Sequence, residues 1–317
     1  MAPSKKLACV MARKEKKQKK KRSPGDQDQH RVSEVYLKQF GYQNNKHWKI
    51  STAELSKRDE MRRVGRLRVS QKSIGSVTIA TNEFDLIGLS TSVRRLLEQE
   101  FQKLETVYEE ILLELNNESI KSTSSTRLNM FIASLLIRSR RFREMVNYHI
   151  RQPHSNKFLR DMCIGLDPEY VNELVQIIEA VPIENRLNHA CVLVWNHLSY
   201  ILSHFNSVFI KDYETGWQTS DDPVVMRNNN YQKEIISVDM ELYFPLSRNI
   251  CLFMYHVKAR KNTHPLRTHP DLSFVQADVV MRDIFHQIIF ENAHDMTFFP
   301  ERLNLNEPIM SPAPVDR

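Results

Sequence analysis

Two adjacent carboxylic acids stand out among the residues that could do chemistry, in the run Ser220-Asp221-Asp222-Pro223. Pro223 lacks a backbone donor and disfavours helix at Asp222, while Ser220 and Asp221 favour side-chain-to-backbone turns, so the run predicts the end of a strand. A carboxylate at a strand end is suited to act as a general base or a metal ligand. The alternative is that turn formation alone accounts for all four residues.

A pair of arginines forms the second candidate group. Arg138 and Arg141 are three residues apart in a segment of helical periodicity, so they lie on one helix face and are flanked by two more arginines. Such guanidinium groups can fork onto a phosphate or pair with Asp221. The alternative is a solvated basic stripe. Arg138 directly follows Leu135-Leu136-Ile137, which indicates partial burial and therefore a partner carboxylate.

A histidine and a serine complete the candidate site. His30 precedes the first predicted element, and Ser247 ends the run Phe244-Pro245-Leu246-Ser247, another polar turn beside an apolar stretch. A lone histidine is more often structural than catalytic, so both interpretations of His30 stay open. We predict that the candidate catalytic residues converge on one polar pocket. They are His30, Arg138, Arg141, Ser220, Asp221, Asp222 and Ser247.

The segment 1–27 is a basic arm that carries the net charge of the chain. Its first 22 residues hold ten Lys and Arg against one Glu, whereas the rest of the chain holds 35 basic and 37 acidic residues. This composition predicts disorder and non-specific binding of nucleic acid, with a solubilising tail as the alternative. The candidate nucleic-acid-binding residues are Lys14, Lys16, Lys17, Lys19, Lys20, Lys21 and Arg22, joined by Arg62, Arg63, Arg66 and Arg68 in a second basic stretch.

Hydrophobic periodicity predicts the elements that position these groups. A short helix is expected near 32–40 and short strands near 48–50 and 76–81. Longer helices are expected from about residue 90 to 115 and over 126–150, 168–180 and 183–209. Aromatic and β-branched runs at 216–225, 237–244 and 250–257 predict antiparallel strands, and 274–293 a closing helix. The order indicates an α+β fold with a helix-bundle middle, a C-terminal antiparallel sheet and a closing helix. We predict one domain over 28–299 and an extended tail over 300–317.

Cysteine usage and hydropathy exclude several protein classes. The four cysteines are far apart without a Cys-x-x-Cys pair, which argues against a disulfide framework or zinc ribbon and favours the reducing cytoplasm. No run approaches the roughly eighteen apolar residues of a membrane span, and no apolar segment follows the basic N-terminus as in a secretory signal. His189, His197 and His204 are too far apart along one helix to share a metal. We therefore assign no metal site, and the cofactor is unknown.

Several of these motifs resemble the domain-of-unknown-function family 4238. The opening of that family is similar to His30-Arg31-Val32, Tyr36-Leu37-Lys38, Phe40 and Trp48, and its paired arginines are similar to Arg138 and Arg141. Its Ser-Asp-Asn-Pro motif resembles Ser220-Asp221-Asp222-Pro223, and its Pro-Leu-Ser-Pro motif resembles Phe244-Pro245-Leu246-Ser247. The end of its closing helix resembles Asn292-Ala293. The resemblance covers about residues 28–299, and Asp222 replaces an asparagine. It implies a mainly bacterial protein linked to phage defence, without a settled reaction.

Two functions of different classes follow from these observations. The first is an intracellular phage-defence effector that acts on nucleic acid or nucleotides like a nuclease toxin, with Arg138 and Arg141 on phosphate and His30 and Asp221 in acid–base chemistry. The alternative is a non-catalytic sensor that binds nucleic acid or a phage protein through the basic arm. A catalytic pocket should tolerate deletion of the arm but not Asp221→Asn, and a binding module should show the reverse. The sequence carries no signal for the oligomeric state.

Overall fold

The structure is a computed structural model that describes residues 28–55, 69–163, 166–227, 237–259 and 264–300. The basic arm with Lys14–Arg22 lies outside the described residues, and so does the second basic stretch with Arg62, Arg63, Arg66 and Arg68. The same holds for residues 301–317 of the predicted tail. The nucleic-acid-binding surface therefore stays a prediction.

The chain has a mixed α+β fold, as the order of its elements predicted. The helices are α1 (Glu34–Lys38), α2 (Thr91–Arg94), α3 (Leu96–Asn116), α4 (Ser122–Arg138), α5 (Arg140–Ile150), α6 (Ser155–Asp161), α7 (Pro168–Ala180), α8 (Arg186–Leu202) and α9 (Val279–Asn292). The strands are β1 (Asp28–His30), β2 (Tyr42–Asn44), β3 (His47–Glu54), β4 (Val69–Ser73), β5 (Ile79–Thr81), β6 (Phe205–Lys211), β7 (Thr219–Ser220), β8 (Val225–Arg227), β9 (Glu241–Pro245), β10 (Ile250–His256), β11 (Ser273–Gln276) and β12 (Met296–Phe299).

The helical middle is built around α4. Every residue from Phe131 to Arg138 is buried, because this half of α4 is covered on all sides, and α4 packs against α3 and α8. Helix α3 contributes an apolar stripe at three-and-four spacing that includes Phe101, Leu104 and Tyr108. In the part of the chain that the structure describes, no helix is long and apolar enough to cross a membrane.

The larger C-terminal runs form a five-stranded sheet in the order β11-β6-β10-β9-β8. Its neighbours are antiparallel except that β11 runs parallel to β6, so the expectation of a purely antiparallel sheet is wrong at this edge. The two strands are parallel because β11 begins beside the start of β6. The Asp271 side chain, just before β11, accepts the backbone N–H of Ser207 in β6 at 2.7 Å.

A second sheet, which the sequence did not predict, joins distant parts of the chain. Its order is β2-β3-β12-β7, and β4 also pairs with β3. The C-terminal strand β12 therefore lies between the N-terminal strand β3 and the two-residue strand β7. This arrangement brings residues 42–54, 219–220 and 296–299 to one sheet.

Three predicted helices have different bounds in the structure. The segment 126–150 forms two helices because Ser139 is extended (φ −66°, ψ 141°) and its hydroxyl accepts the Phe142 N–H, capping α5. The helix predicted over 183–209 ends at Leu202, because the β-branched and aromatic run Phe205–Lys211 pairs with β10. The closing helix begins only at Val279, since the Asp278 side chain caps it by accepting the Met281 N–H at 2.7 Å.

Three histidines have ring nitrogens buried in the helical part of the fold. His189 and His197 lie on α8 and His286 lies on α9, and burial lowers the pKa of each ring below its ordinary value. One nitrogen of each ring is buried without a hydrogen-bond partner among the described residues. A protonated ring would therefore be desolvated, so the folded protein favours the neutral form.

We predict that these histidines lower the free energy of unfolding as the pH drops from about 7 to 5. With a folded pKa below the unfolded one, their rings bind more protons in the unfolded chain in this interval, so acid favours unfolding at these sites. A carboxyl group with a raised pKa, such as that of Asp222, acts in the opposite direction in every variant, so the comparison between variants isolates the histidine. Urea denaturation at pH 7 and pH 5 measures the free energy of unfolding, and its value at pH 5 relative to pH 7 should be higher for His197→Gln than for the wild type. His154→Gln is the control, because His154 is exposed at the start of α6. Equal pH slopes for all three proteins would contradict the prediction.

Candidate functional site

Asp221 ties the end of β7 to the loop that leads into β12. Its backbone N–H donates to the Met296 carbonyl at 3.1 Å, which extends the pairing of β7 with β12 by one bond. One carboxylate oxygen accepts the backbone N–H of His294 at 3.0 Å, and the other accepts that of Asp295 at 2.8 Å. The Asp221 side chain therefore fixes the loop whose own side chains, His294 and Asp295, point to the same place.

Ser220 shapes the turn that presents the two carboxylates. Its hydroxyl donates to the Asp222 carbonyl at 2.8 Å and is 3.2 Å from the Asp222 backbone nitrogen, and its side chain is buried. These are the side-chain-to-backbone contacts of a serine turn. Turn formation thus accounts for Ser220, while Asp221 and Asp222 keep carboxylates at the surface of a cleft.

Burial raises the pKa of both carboxyl groups, and a negative neighbour adds to each shift, Asp295 for Asp221 and Asp221 for Asp222. The pKa of Asp222 rises to about 7, first because the side chain is buried and then because Asp221 is negative; the Arg141 guanidinium and the Ser139 hydroxyl oppose the shift. Burial also raises the pKa of Asp221, although the backbone N–H groups it accepts favour its charged form. Two neighbouring carboxyls that resist double ionisation are typical of functional sites.

These two residues line an open cleft, which we call the carboxylate cleft. Its lining residues are Arg31, Thr78, Arg140, Asp221, Asp222, His294, Asp295 and Met296. Arg31 pairs with Glu83 at 2.7 Å and Arg140 with Glu144 at 3.1 Å. Negative and positive side chains thus share one cleft, and the two arginines have their ion-pair partners elsewhere.

Arg138 does not belong to this cleft, and the hypothesis that it pairs with Asp221 is wrong. Its guanidinium is 1% exposed and donates to Glu105 at 3.0 Å and to the His30 carbonyl at 3.3 Å. It also lies 4.5 Å from the centre of the Phe101 ring. The apolar run before Arg138 correctly indicated burial and a partner carboxylate, but the partner comes from α3 because α3 packs along α4.

Arg141 lies on the far side of Asp222. It donates to the Asn292 side chain at 2.7 Å, and its charge acts on Asp222 rather than on Asp221. Since one helix break at Ser139 separates Arg138 from Arg141, the two guanidiniums do not share a helix face as the sequence predicted. Arg141, Asp222 and Asn292 line a small adjoining pocket.

His30 and Ser247 lie apart from the carboxylate cleft. The His30 ring contacts Glu34 at 3.2 Å, and its carbonyl binds Arg138. The Ser247 hydroxyl accepts the Asn249 N–H at 3.2 Å in the turn between β9 and β10. The structure therefore brings together Ser220, Asp221, Asp222 and Arg141. It separates His30, Arg138 and Ser247 from them.

Sequence patterns did not single out the remaining cleft residues. His294 and Asp295 follow directly after the predicted end of the closing helix, and this position was the one available signal. Arg31 stands beside His30, and Arg140 stands between the two arginines that were chosen. Which of two neighbouring residues reaches the cleft depends on the direction in which each side chain leaves the backbone. The helix break at Ser139 changes these directions, so Arg140 lines the cleft and Arg138 and Arg141 do not.

A family model described as a protein of unknown function, DUF4238, matches residues 28–302. The chain belongs to the DUF4238 family. The match confirms the resemblance inferred from the motifs and spans all the residues of the carboxylate cleft. No curated protein and no solved structure matches this DUF4238 chain.

We predict that Arg138→Ala lowers the free energy of unfolding by about 3–5 kcal/mol, because it leaves the partly buried Glu105 without its partner and removes a packed side chain. Chemical denaturation measures this loss. Arg127→Ala on the exposed face of α4 is the control and should cost less than about 0.5 kcal/mol. A stable Arg138→Ala protein that loses only its biological activity would show that Arg138 has a functional rather than a structural role.

Proposed function

We propose that this DUF4238 protein is an intracellular phage-defence effector that hydrolyses phosphate esters of nucleic acid or nucleotides. The observation that carries the proposal is the composition of the carboxylate cleft. Asp221, Asp222 and His294 line the same cleft as the guanidiniums of Arg31 and Arg140. Proton-accepting groups beside phosphate-binding groups are what hydrolysis of a phosphate ester requires.

The arginines provide the phosphate-binding side of the reaction. Arg31 is 35% exposed and Arg140 is 50% exposed on their side chains, so both can reach a ligand in the cleft. Each guanidinium has further N–H donors beyond the one used on Glu83 or Glu144, and these can fork onto non-bridging phosphate oxygens. Arg31 and Arg140 thereby take the role that the sequence assigned to Arg138 and Arg141.

The carboxylates and His294 provide the proton-transfer side. A water molecule attacks phosphorus, its proton passes to a basic group of the cleft, and the P–O bond to the leaving oxygen breaks as the new P–O bond forms. His294 is 33% exposed beside Asp295, and the buried Asp222 lines the same cleft. His294 therefore replaces His30 as the imidazole candidate.

The biological setting of the proposal comes from the family resemblance, which implies a link to phage defence. The alternative, a non-catalytic module that binds through the basic arm, concerns residues outside the described part of the chain. The experiment below decides between the two functions.

We predict that Asp221→Asn and Arg140→Gln each reduce hydrolysis by about 10²-fold, because each removes a cleft group that the proposal places at the reacting phosphate or its proton. The measurement is hydrolysis of bis(p-nitrophenyl) phosphate, single-stranded DNA and RNA by the full chain. Protection of cells against phage is measured in parallel. Arg151→Gln is the matched control, because Arg151 is an exposed arginine at the other end of α5. Thermal unfolding verifies that every variant is folded.

Wild-type hydrolysis and protection in folded Asp221→Asn and Arg140→Gln would overturn the catalytic proposal. Deletion of residues 1–27 tests the alternative. If this deletion abolishes protection while Asp221→Asn retains it, the protein is a binding module.

A further inference from the structure

Three side chains at the rim of the carboxylate cleft have the types and the spacing of a metal site. Asp221, His294 and Asp295 each offer one ligand atom, and these atoms lie within 4.8 Å of one another. The His294 Nδ1 and the Asp295 Oδ1 are 2.9 Å apart. One imidazole and two carboxylates form a mixed nitrogen and oxygen donor set, which divalent cations such as Mn²⁺ accept.

The backbone holds the three ligands as one unit. Both oxygens of Asp221 accept backbone N–H groups of the other two residues, so the position of the carboxylate is fixed relative to His294 and Asp295. The Asp295 carbonyl in turn accepts the Leu55 N–H at 2.8 Å, which fastens the loop to the end of β3. His294 and Asp295 are 33% and 56% exposed, so a cation can enter from solvent.

A further carboxylate lies beside the triad and adds negative charge to the cleft. Asp222 is 7% exposed and lines the same cleft directly beside Asp221. The Arg141 guanidinium and the Ser139 hydroxyl stabilise the charge of Asp222, whereas the cleft arginines, Arg31 and Arg140, form ion pairs with Glu83 and Glu144. A cation bound at Asp221, His294 and Asp295 would lower the cost of holding these carboxylates together.

We propose that Asp221, His294 and Asp295 bind a divalent cation and that Asp222 supports this site with its charge. Cation binding follows from the triad itself, while a catalytic task for the cation rests on the proposed function. Three protein ligands leave coordination positions open for a water molecule and a phosphate oxygen. The cation would also remove the repulsion between a phosphate anion and the carboxylates that surround it.

The test measures cation binding without any substrate. The full chain is freed of metal with EDTA, dialysed, and titrated with MnCl₂, while the electron paramagnetic resonance signal of free Mn²⁺ is followed. One binding site per chain is expected, and Asp295→Asn and His294→Ala should each weaken the affinity at least about tenfold. Both side chains are partly exposed, so these variants should keep the fold, which thermal unfolding verifies. Glu110→Gln is the control, since it removes an exposed negative charge of α3 outside the cleft.

Mn²⁺ binding that is absent from the wild type, or that is the same in Asp295→Asn, His294→Ala and Glu110→Gln, overturns the proposal. Triad-dependent binding without hydrolysis of any phosphate ester supports the cation site and overturns the proposed function alone. Hydrolysis that continues in EDTA, together with triad variants that bind Mn²⁺ like the wild type, supports the function and overturns the cation site.

Discussion

The two hydrogen bonds from the His294 and Asp295 backbone to the Asp221 carboxylate are the constraint on which the site depends. They close a contact between residues 73 and 74 positions apart in sequence. The pairing of β12 with β7 on one side and β3 on the other holds both ends of this contact in place. Because Asp221 uses its charge to fix backbone N–H groups, its stabilising role and its chemical role are joined in one side chain.

The two sheets and the helical middle meet at a pair of buried tyrosines. The Tyr36 hydroxyl donates to the Pro245 carbonyl at 2.7 Å and contacts the Thr219 hydroxyl, and the Tyr108 hydroxyl donates to the Leu246 carbonyl. Burial raises the pKa of both phenols, so they remain neutral donors. The end of β9 and the turn after it, whose Ser247 was a member of the predicted pocket, thereby bind the two tyrosines, and Tyr36 in turn contacts β7 next to Asp221.

Charge is divided between two separate networks. Arg138 and Arg143 lie inside the helical part, where Arg138 binds Glu105 and Arg143 binds Asn188. These contacts pair each buried guanidinium with a polar partner, as expected for charges that are buried, although one Arg138 nitrogen has no hydrogen-bond partner among the described residues. Burial keeps both groups away from a ligand in the cleft. The carboxylate cleft instead keeps half-exposed arginines and half-buried carboxylates in one place. Arg138, which the sequence placed in the pocket, is therefore a structural residue, and Arg140 lines the cleft instead.

Local sequence patterns were sufficient for the α+β class, the helical middle, the family and the position of Asp221-Asp222 at the end of a strand, because periodicity and turn chemistry are properties of consecutive residues. The run Pro168–Ala180 predicted α7 with both ends correct, since Asp167 caps the first turn. The folded chain was needed to show that Arg138 binds Glu105 and that His294 and Asp295 lie beside Asp221. Those contacts depend on helix packing and on strand pairing between distant segments, and no local pattern encodes which side chains such pairings bring together.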